Sequence, residues 1–128
     1  VKKKKIKQRL KEIQHEIFEI NTHIVTKGKH KLDEKIVKSL EKEIDEMWEK
    51  CGELKGFIIP YGKEDSCIAH IARSVCRRAE RKLARFYQKN KWISQVAIKY
   101  INRLSDYLFA LARYLNLLNR VKEEYAKL

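Results

Sequence analysis

Four arginines, Arg73, Arg77, Arg81 and Arg85, recur at every fourth position of the stretch HIARSVCRRAERKLAR, which runs from His70 to Arg85. Residues four apart share one face of an α-helix, so this spacing sets the guanidinium groups in a row. Like charges so placed disfavour the helix by roughly 0.2 to 0.5 kcal/mol per pair, and three consecutive pairs cost about 1 kcal/mol unless something answers them. One answer is a solvated face on which Glu80 pairs with Arg77 and acidic residues of neighbouring helices contribute. The choice of residue favours another: five of positions 73–85 are Arg and one is Lys, in a chain that uses Lys freely elsewhere. The planar guanidinium fork matches phosphate and carboxylate oxygens in bidentate fashion, so the row reads as a polyphosphate or carboxylate clamp.

The charge balance agrees. Thirty Lys and Arg against 17 Asp and Glu leave a formal charge of +13, which calls for an anionic partner: nucleic acid, a membrane surface or a phosphorylated small molecule. The longest apolar runs, FIIPY and YLFALA, fall far short of the roughly 18 to 20 residues that span a bilayer, and there is no signal-peptide core. Cys51, Cys67 and Cys76 are odd in number and lack C-x-x-C spacing, against a disulfide framework or zinc knuckle and in keeping with a reducing, cytoplasmic setting. The chain opens at Val1 without a methionine, which fits a processed product or a segment of a longer protein.

The elements that must position the arginines are helical. With 44% hydrophobic residues, 37% charged, one proline and four glycines in 128 residues, the chain suits a single helical domain over residues 1–128. Ile6, Leu10, Ile13, Ile17, Ile20 and Ile24 step by three and four, predicting a first helix. Lys2 to Lys5 sit at its front, where the helix dipole disfavours positive charge, so fraying or an upstream continuation is expected there. Leu32, Ile36, Leu40, Ile44, Met47 and Trp48 predict a second helix capped by Asp33 and ending near Cys51 and Gly52. ELKGFIIPYGKED, with Pro60, Gly56 and Gly62, is the main loop. The third helix is expected from Ser66 to Tyr87 with Asp65 or Ser66 as cap, burying Ile68, Ile71, Ala72, Val75, Ala79, Leu83 and Phe86. The pattern that begins at Trp92 predicts a fourth helix to the end of the chain. Short connections make the simplest arrangement an all-α antiparallel bundle of four helices.

FIIPYGKEDSCIAHIARSVCRRAERKL closely resembles the signature of the PduO-type ATP:corrinoid adenosyltransferases. There an F-[IV]-[IL]-P-G-G loop leads into a helix reading L-H-x-A-R-[TS]-x-C-R-R-A-E-R. YINRLSDYLFALARYLN is similar to that family's later helix, Y-L-N-R-L-S-D-x-L-F-x-L-A-R-x-x-N, and the resemblance extends more weakly over nearly the whole chain. It implies a homotrimer with active sites between neighbouring subunits, and transfer of the 5'-deoxyadenosyl group of ATP to Co(I) of cobalamin with release of triphosphate. ATP and cobalamin are then substrates and Mg2+ accompanies the nucleotide. A reductase and an adenosylcobalamin-dependent enzyme are the implied protein partners.

By position in these motifs, Arg77 and Arg81 resemble the family's ATP contacts, with Arg78 and Glu80 in the same segment and Asn102 similar to an asparagine that touches the nucleotide. Arg73 is similar to an arginine that forms a salt bridge across the subunit interface. Phe57 matches the aromatic residue that packs beneath the corrin and keeps a lower axial ligand off cobalt, easing reduction to Co(I). The resemblance therefore makes Arg77 and Phe57 the catalytic pair. Tyr61 stands where the family has the first glycine of P-G-G, and Lys63 where a small polar residue is common. The family's T-G-D-x-G-x-T segment and following V-D-E-L-N helix have no counterpart in these 128 residues; with that helix the bundle has five.

Other constellations are weaker. His15 and Glu16 lack the second histidine of a zinc-protease motif, since Glu19 stands there, so no metal site is expected. His70 could line the site or pack at an interface, and Cys76 reads as a small apolar residue. The rival functions are a non-catalytic cobalamin carrier and a basic helical bundle that binds nucleic acid through the lysine arm and arginine row. No helix-turn-helix, zinc finger or aromatic RNA platform supports the latter.

Overall fold

Thirteen residues of the last helix, α4 (Gln95–Leu118), are buried, against three in α1 (Lys2–Val25), four in α2 (Lys35–Cys51) and four in α3 (Glu64–Lys89). A helix apolar on nearly every side must be surrounded, and the computed structural model, which describes residues 1–128, places α4 as the axis on which the other three lie. The ends fix the direction of each helix. Lys3, at the start of α1, pairs with Asp65 at the start of α3 at 3.0 Å and donates to Asn119 at the end of α4. His23, at the far end of α1, accepts the Ser94 N–H that opens α4 at 3.0 Å. Helices α1 and α3 therefore run one way and α2 and α4 the other, giving the expected antiparallel four-helix bundle.

Local chemistry explains the boundaries. The N-cap of α2 is Glu34, one residue later than the expected Asp33, although the Asp33 carboxylate accepts the Lys35 N–H at 2.9 Å; Ser94 caps α4 by accepting the Val96 N–H at 3.1 Å. Trp92 and Ile93 therefore precede α4 instead of starting it. Its far end differs more. The helix stops at Leu118 because Asn119 leaves helical geometry and Arg120 adopts φ 57°, letting the Val121 N–H close back on Asn116 O at 2.8 Å. Beyond it, residues 121–128 leave the helix, although Val121, Tyr125 and Leu128 keep helical spacing, and return along the α2–α3 loop. Ile59 N–H donates to Glu124 O at 2.9 Å and Ala126 N–H to Phe57 O at 2.7 Å, around an antiparallel bridge between Ile58 and Tyr125.

Three further expectations are corrected. Of the two alternatives for the front of α1, fraying is not seen: the helix is regular from Lys2. Neither Asp65 nor Ser66 caps α3, which begins at Glu64; Ser66 is fully buried and donates to Ala112 O of α4 at 2.8 Å. The inward face of α3 is also rotated from the one its large apolar residues suggest. Ile68, Ile71, Val75 and Phe86 are 54%, 63%, 50% and 43% exposed, while Ser66, Ala69, His70 and Cys76 are buried. Small side chains let α3 approach α4 closely, and a stripe read from bulky residues misses such a face.

Polar contacts are spent on holding elements together. His23 is 2% exposed, with Nδ1 donating to His30 O at 2.8 Å while Nε2 accepts from Ser94. Tyr100 of α4 donates to Glu16 of α1 at 2.7 Å, and Arg9 of α1 holds both carboxylate oxygens of Glu43 on α2.

Candidate active site

Arg73, Arg77, Arg81 and Arg85 climb α3 in steps of about 6 Å, four residues at 1.5 Å rise each. Arg77, Arg78, Arg81 and Arg85 are exposed, and none takes part in an ion pair of the chain. Glu80 does not pair with Arg77; it accepts a hydrogen bond from Asn102 Nδ2 of α4 at 2.6 Å. Asn102 Oδ1 in turn accepts from Arg103 at 2.9 Å, and Arg103 is held by Glu41 at 3.1 Å and Asp106 at 3.0 Å. The solvated-face reading thus loses the pairing it needs. The structure brings Glu80 and Asn102 together and leaves the guanidinium groups beside them uncompensated.

Arg73 differs from the rest of its row. It is half-buried, lies over the Phe109 ring at 4.7 Å and has no carboxylate partner in the chain. Burial, reinforced by the Arg77 charge, pulls its pKa below the usual arginine value. A cavity of about 350 Å3 beside it is lined by Ile58 and Pro60 of the loop, by His70 and Cys67 of α3 and by Phe109. That cavity links the loop to the first arginine, one helical turn from Arg77.

Phe57 is 76% exposed, yet its backbone is fixed by the returning C-terminal segment through the Phe57 O and Ile59 N–H bonds. Further along, Asn116 Nδ2 donates to Tyr61 O at 2.8 Å. Gly62, at φ +133°, presses so closely on Asn116 that a Cβ there would collide with its Oδ1. Only glycine fits, whereas the preceding position accepts Tyr61 in place of the family's glycine. A ring held out from a braced backbone is presented, not buried as core.

Sequence reasoning missed the brace. Arg113 is 2% exposed and forms a two-pronged pair with Glu123, Nε to Oε2 at 2.8 Å and Nη2 to Oε1 at 3.0 Å. It also donates to Gly52 O at 3.0 Å and lies over Trp48 at 4.7 Å. A charged residue inside the apolar run YLFALARYLN was the available signal, since a buried arginine demands a partner.

His70 is buried and its Nε2 finds no partner in the chain. Burial first, then the Arg73 charge, lowers its pKa below 6.5, with Glu123 opposing weakly. Between that lowered value and 6.5 the unfolded chain binds more protons at this site, so stability is full above about pH 6.5 and falls as pH drops below it. Thermal melts from pH 7.5 to 5 should show the wild-type protein losing more stability than His70→Gln; equal losses would remove His70 as the cause. Cys76, as anticipated, is inert packing: burial and the nearby Glu80 push its thiol up to about 11, and it donates to Ile101 O at 3.4 Å.

A family profile described as cobalamin adenosyltransferase matches residues 1–115. The chain belongs to that family. Within the cobalamin adenosyltransferases it is 44% identical over 107 residues to the corrinoid adenosyltransferase of Bacillus subtilis (strain 168), covering 81% of this chain and 55% of that protein. To the corrinoid adenosyltransferase MMAB of Homo sapiens it is 47% identical over 75 residues, 59% of this chain and 30% of that one. The chain therefore spans about half the length, or less, of these curated relatives. Among solved structures it superposes on a variant PduO-type ATP:corrinoid adenosyltransferase from Lactobacillus reuteri complexed with cobalamin and ATP. The TM-score is 0.88 at 30% identity, over 94% of this chain and 70% of that one. A second variant of the same enzyme, complexed with ATP, gives 0.87 at 31% identity over the same shares. No helix here is long and apolar enough to cross a membrane.

Proposed function

We propose that this chain carries the corrin-side and triphosphate-side residues of an ATP:cob(I)alamin adenosyltransferase. The observation that carries the reading is the uncompensated row of Arg77 and Arg81 beside the Glu80–Asn102 pair, on a family helix whose preceding loop presents Phe57. In the Lactobacillus reuteri structures one variant replaces a phenylalanine and another an arginine, twenty positions apart. Phe57 and Arg77 have the same separation.

Co(I) is itself the nucleophile. Its electron pair forms the Co–C5' bond as the C5'–O bond breaks, and the departing triphosphate takes up negative charge. The chain need supply no nucleophile, only position and charge stabilisation. Arg77 and Arg81, fixed on a rigid helix, meet that charge without reorganising, with Arg78 alongside. Asn102, oriented by Glu80 and Arg103, offers amide groups to the nucleoside. Phe57 sets an apolar, non-coordinating ring against the corrin. Magnesium would come with the nucleotide, bound through phosphate oxygens as that ion usually is.

A homotrimer fits two features: Arg73 waits for a carboxylate, and Ile68, Ile71 and Val75 lie exposed on the same helix. The test is single-turnover absorbance of anaerobic cob(I)alamin with ATP and magnesium, using the full gene product that carries this chain. Conversion to the adenosylcobalamin spectrum is expected; retention of the cob(I)alamin spectrum leaves the carrier or the nucleic-acid binder. Phe57→Ala is expected to slow formation of Co(I) from Co(II) while adenosylation of pre-reduced cobalamin proceeds. Normal reduction in that variant would remove the corrin role.

A further inference from the structure

On the opposite side of α4 from the arginine row, a groove of about 280 Å3 lies between the start of α1 and the end of α2. Helix α3 contributes nothing to it. Hydrogen-bond donors dominate its polar lining: the ammonium groups of Lys2, Lys5 and Lys50, the Arg9 guanidinium, and the phenols of Tyr107 and Tyr114. Arg9 Nη2 is enclosed and has no partner in the chain. Neither phenol hydroxyl forms a hydrogen bond within the chain, the Lys50 ammonium lies 5.4 Å over the Tyr114 ring, and burial, with Glu43 next in effect, keeps Tyr107 protonated and able to donate.

The carboxylates nearby are engaged by Arg9 and leave its Nη2 and the other donors without one. Both oxygens of Glu43 are taken by Arg9 Nε, at 2.7 and 2.9 Å, and Arg9 Nη1 is held by Glu16 at 2.9 Å and reaches Glu12 at 3.5 Å. Glu46, on the exposed rim, is the one carboxylate left against three lysines. Enclosed N–H groups without acceptors are unfavourable, and a cluster of cations flanked by hydroxyl donors suits an anion with several oxygens. The same placement accounts for Lys2 and Lys5 at the front of α1, which neither the arginine row nor the loop uses.

We infer that the α1–α2 groove, through Lys2, Lys5, Arg9, Lys50, Tyr107 and Tyr114, is a second anion site that binds a small phosphate-bearing molecule, separate from the row on α3. A tetrahedral phosphate presents oxygens in several directions at once, as converging donors from three helices require; a single carboxylate does not. This assignment stands independently of the reaction proposed above.

Calorimetric titration at constant ionic strength, with inorganic triphosphate and inorganic phosphate as probes, tests it. The double variant Arg77→Ala/Arg81→Ala is expected to retain one saturable triphosphate site per chain. Adding Lys5→Gln/Lys50→Gln, both exposed positions, should weaken that site by about ten-fold or more. Removing the same charge from α3 with Lys82→Gln/Lys89→Gln should not. Inorganic phosphate should compete for the same site. The inference is overturned if the arginine double variant shows no saturable binding, if the groove lysines leave affinity unchanged, or if the α3 lysines lower it equally. The last result would mean diffuse attraction to a +13 chain.

Discussion

Arg77→Ala is expected to lower single-turnover formation of adenosylcobalamin by about 10²- to 10³-fold or more, the usual cost of removing one preorganised charge donor from a transition state. The helical circular dichroism should stay as it is. Arg77 is exposed and has no ion pair in the chain, and alanine relieves its repulsion with Arg73 and Arg81. Arg77→Lys keeps the charge but loses the fork, so it should fall between the two. Arg85→Ala provides the contrast, two turns further along α3 and also exposed; its turnover should change little. Full activity in Arg77→Ala would sink the clamp.

The second large effect is on stability. Arg113→Ala strands the Glu123 carboxylate, removes the donor from Gly52 O and takes the cation from the Trp48 face. Breaking one side of a buried pair typically costs about 3–5 kcal/mol, which for a chain this size lowers Tm by on the order of 10 °C or more. Glu123→Ala should cost nearly as much, and the double variant less than the sum, because the two act as one unit. A melt of Arg113→Ala within about 2 °C of wild type would show that the pair contributes little. Because the pair anchors the segment that braces Phe57, the same variant should also slow cobalamin reduction, whereas Arg77→Ala should not.

Long-period features were legible in the sequence and short-range ones were not. The steps of three and four from Ile6 to Ile24 and from Leu32 to Trp48 name two helices whose inward residues are buried or half-buried as expected. The arginine spacing likewise survives, with Arg77, Arg81 and Arg85 exposed and Arg73 half-buried. Helix α3 misled because its contact with α4 is made by Ser66, Ala69 and Cys76, residues too small to raise a hydropathy signal, while Ile68 and Ile71 face outward. The tail misled for a different reason. Nothing in VKEEYAKL marks a turn, and its path is set by Arg120 at positive φ and by pairing with a loop more than sixty residues away. Arg113 and Asn116 were hidden inside a motif taken as a whole, although both are buried polar groups whose partners define the loop.

The braced loop has a consequence for how the molecule is handled. Phe57 and Ile59 themselves are tied to Glu124 and Ala126 through backbone hydrogen bonds, so beyond the Arg113–Glu123 pair that anchors the segment, the grip depends on the path of the chain. A protease cut near Lys122, or a proline at position 126, would reach the aromatic ring as surely as a substitution at position 57. The end of the chain works as a remote handle on the loop.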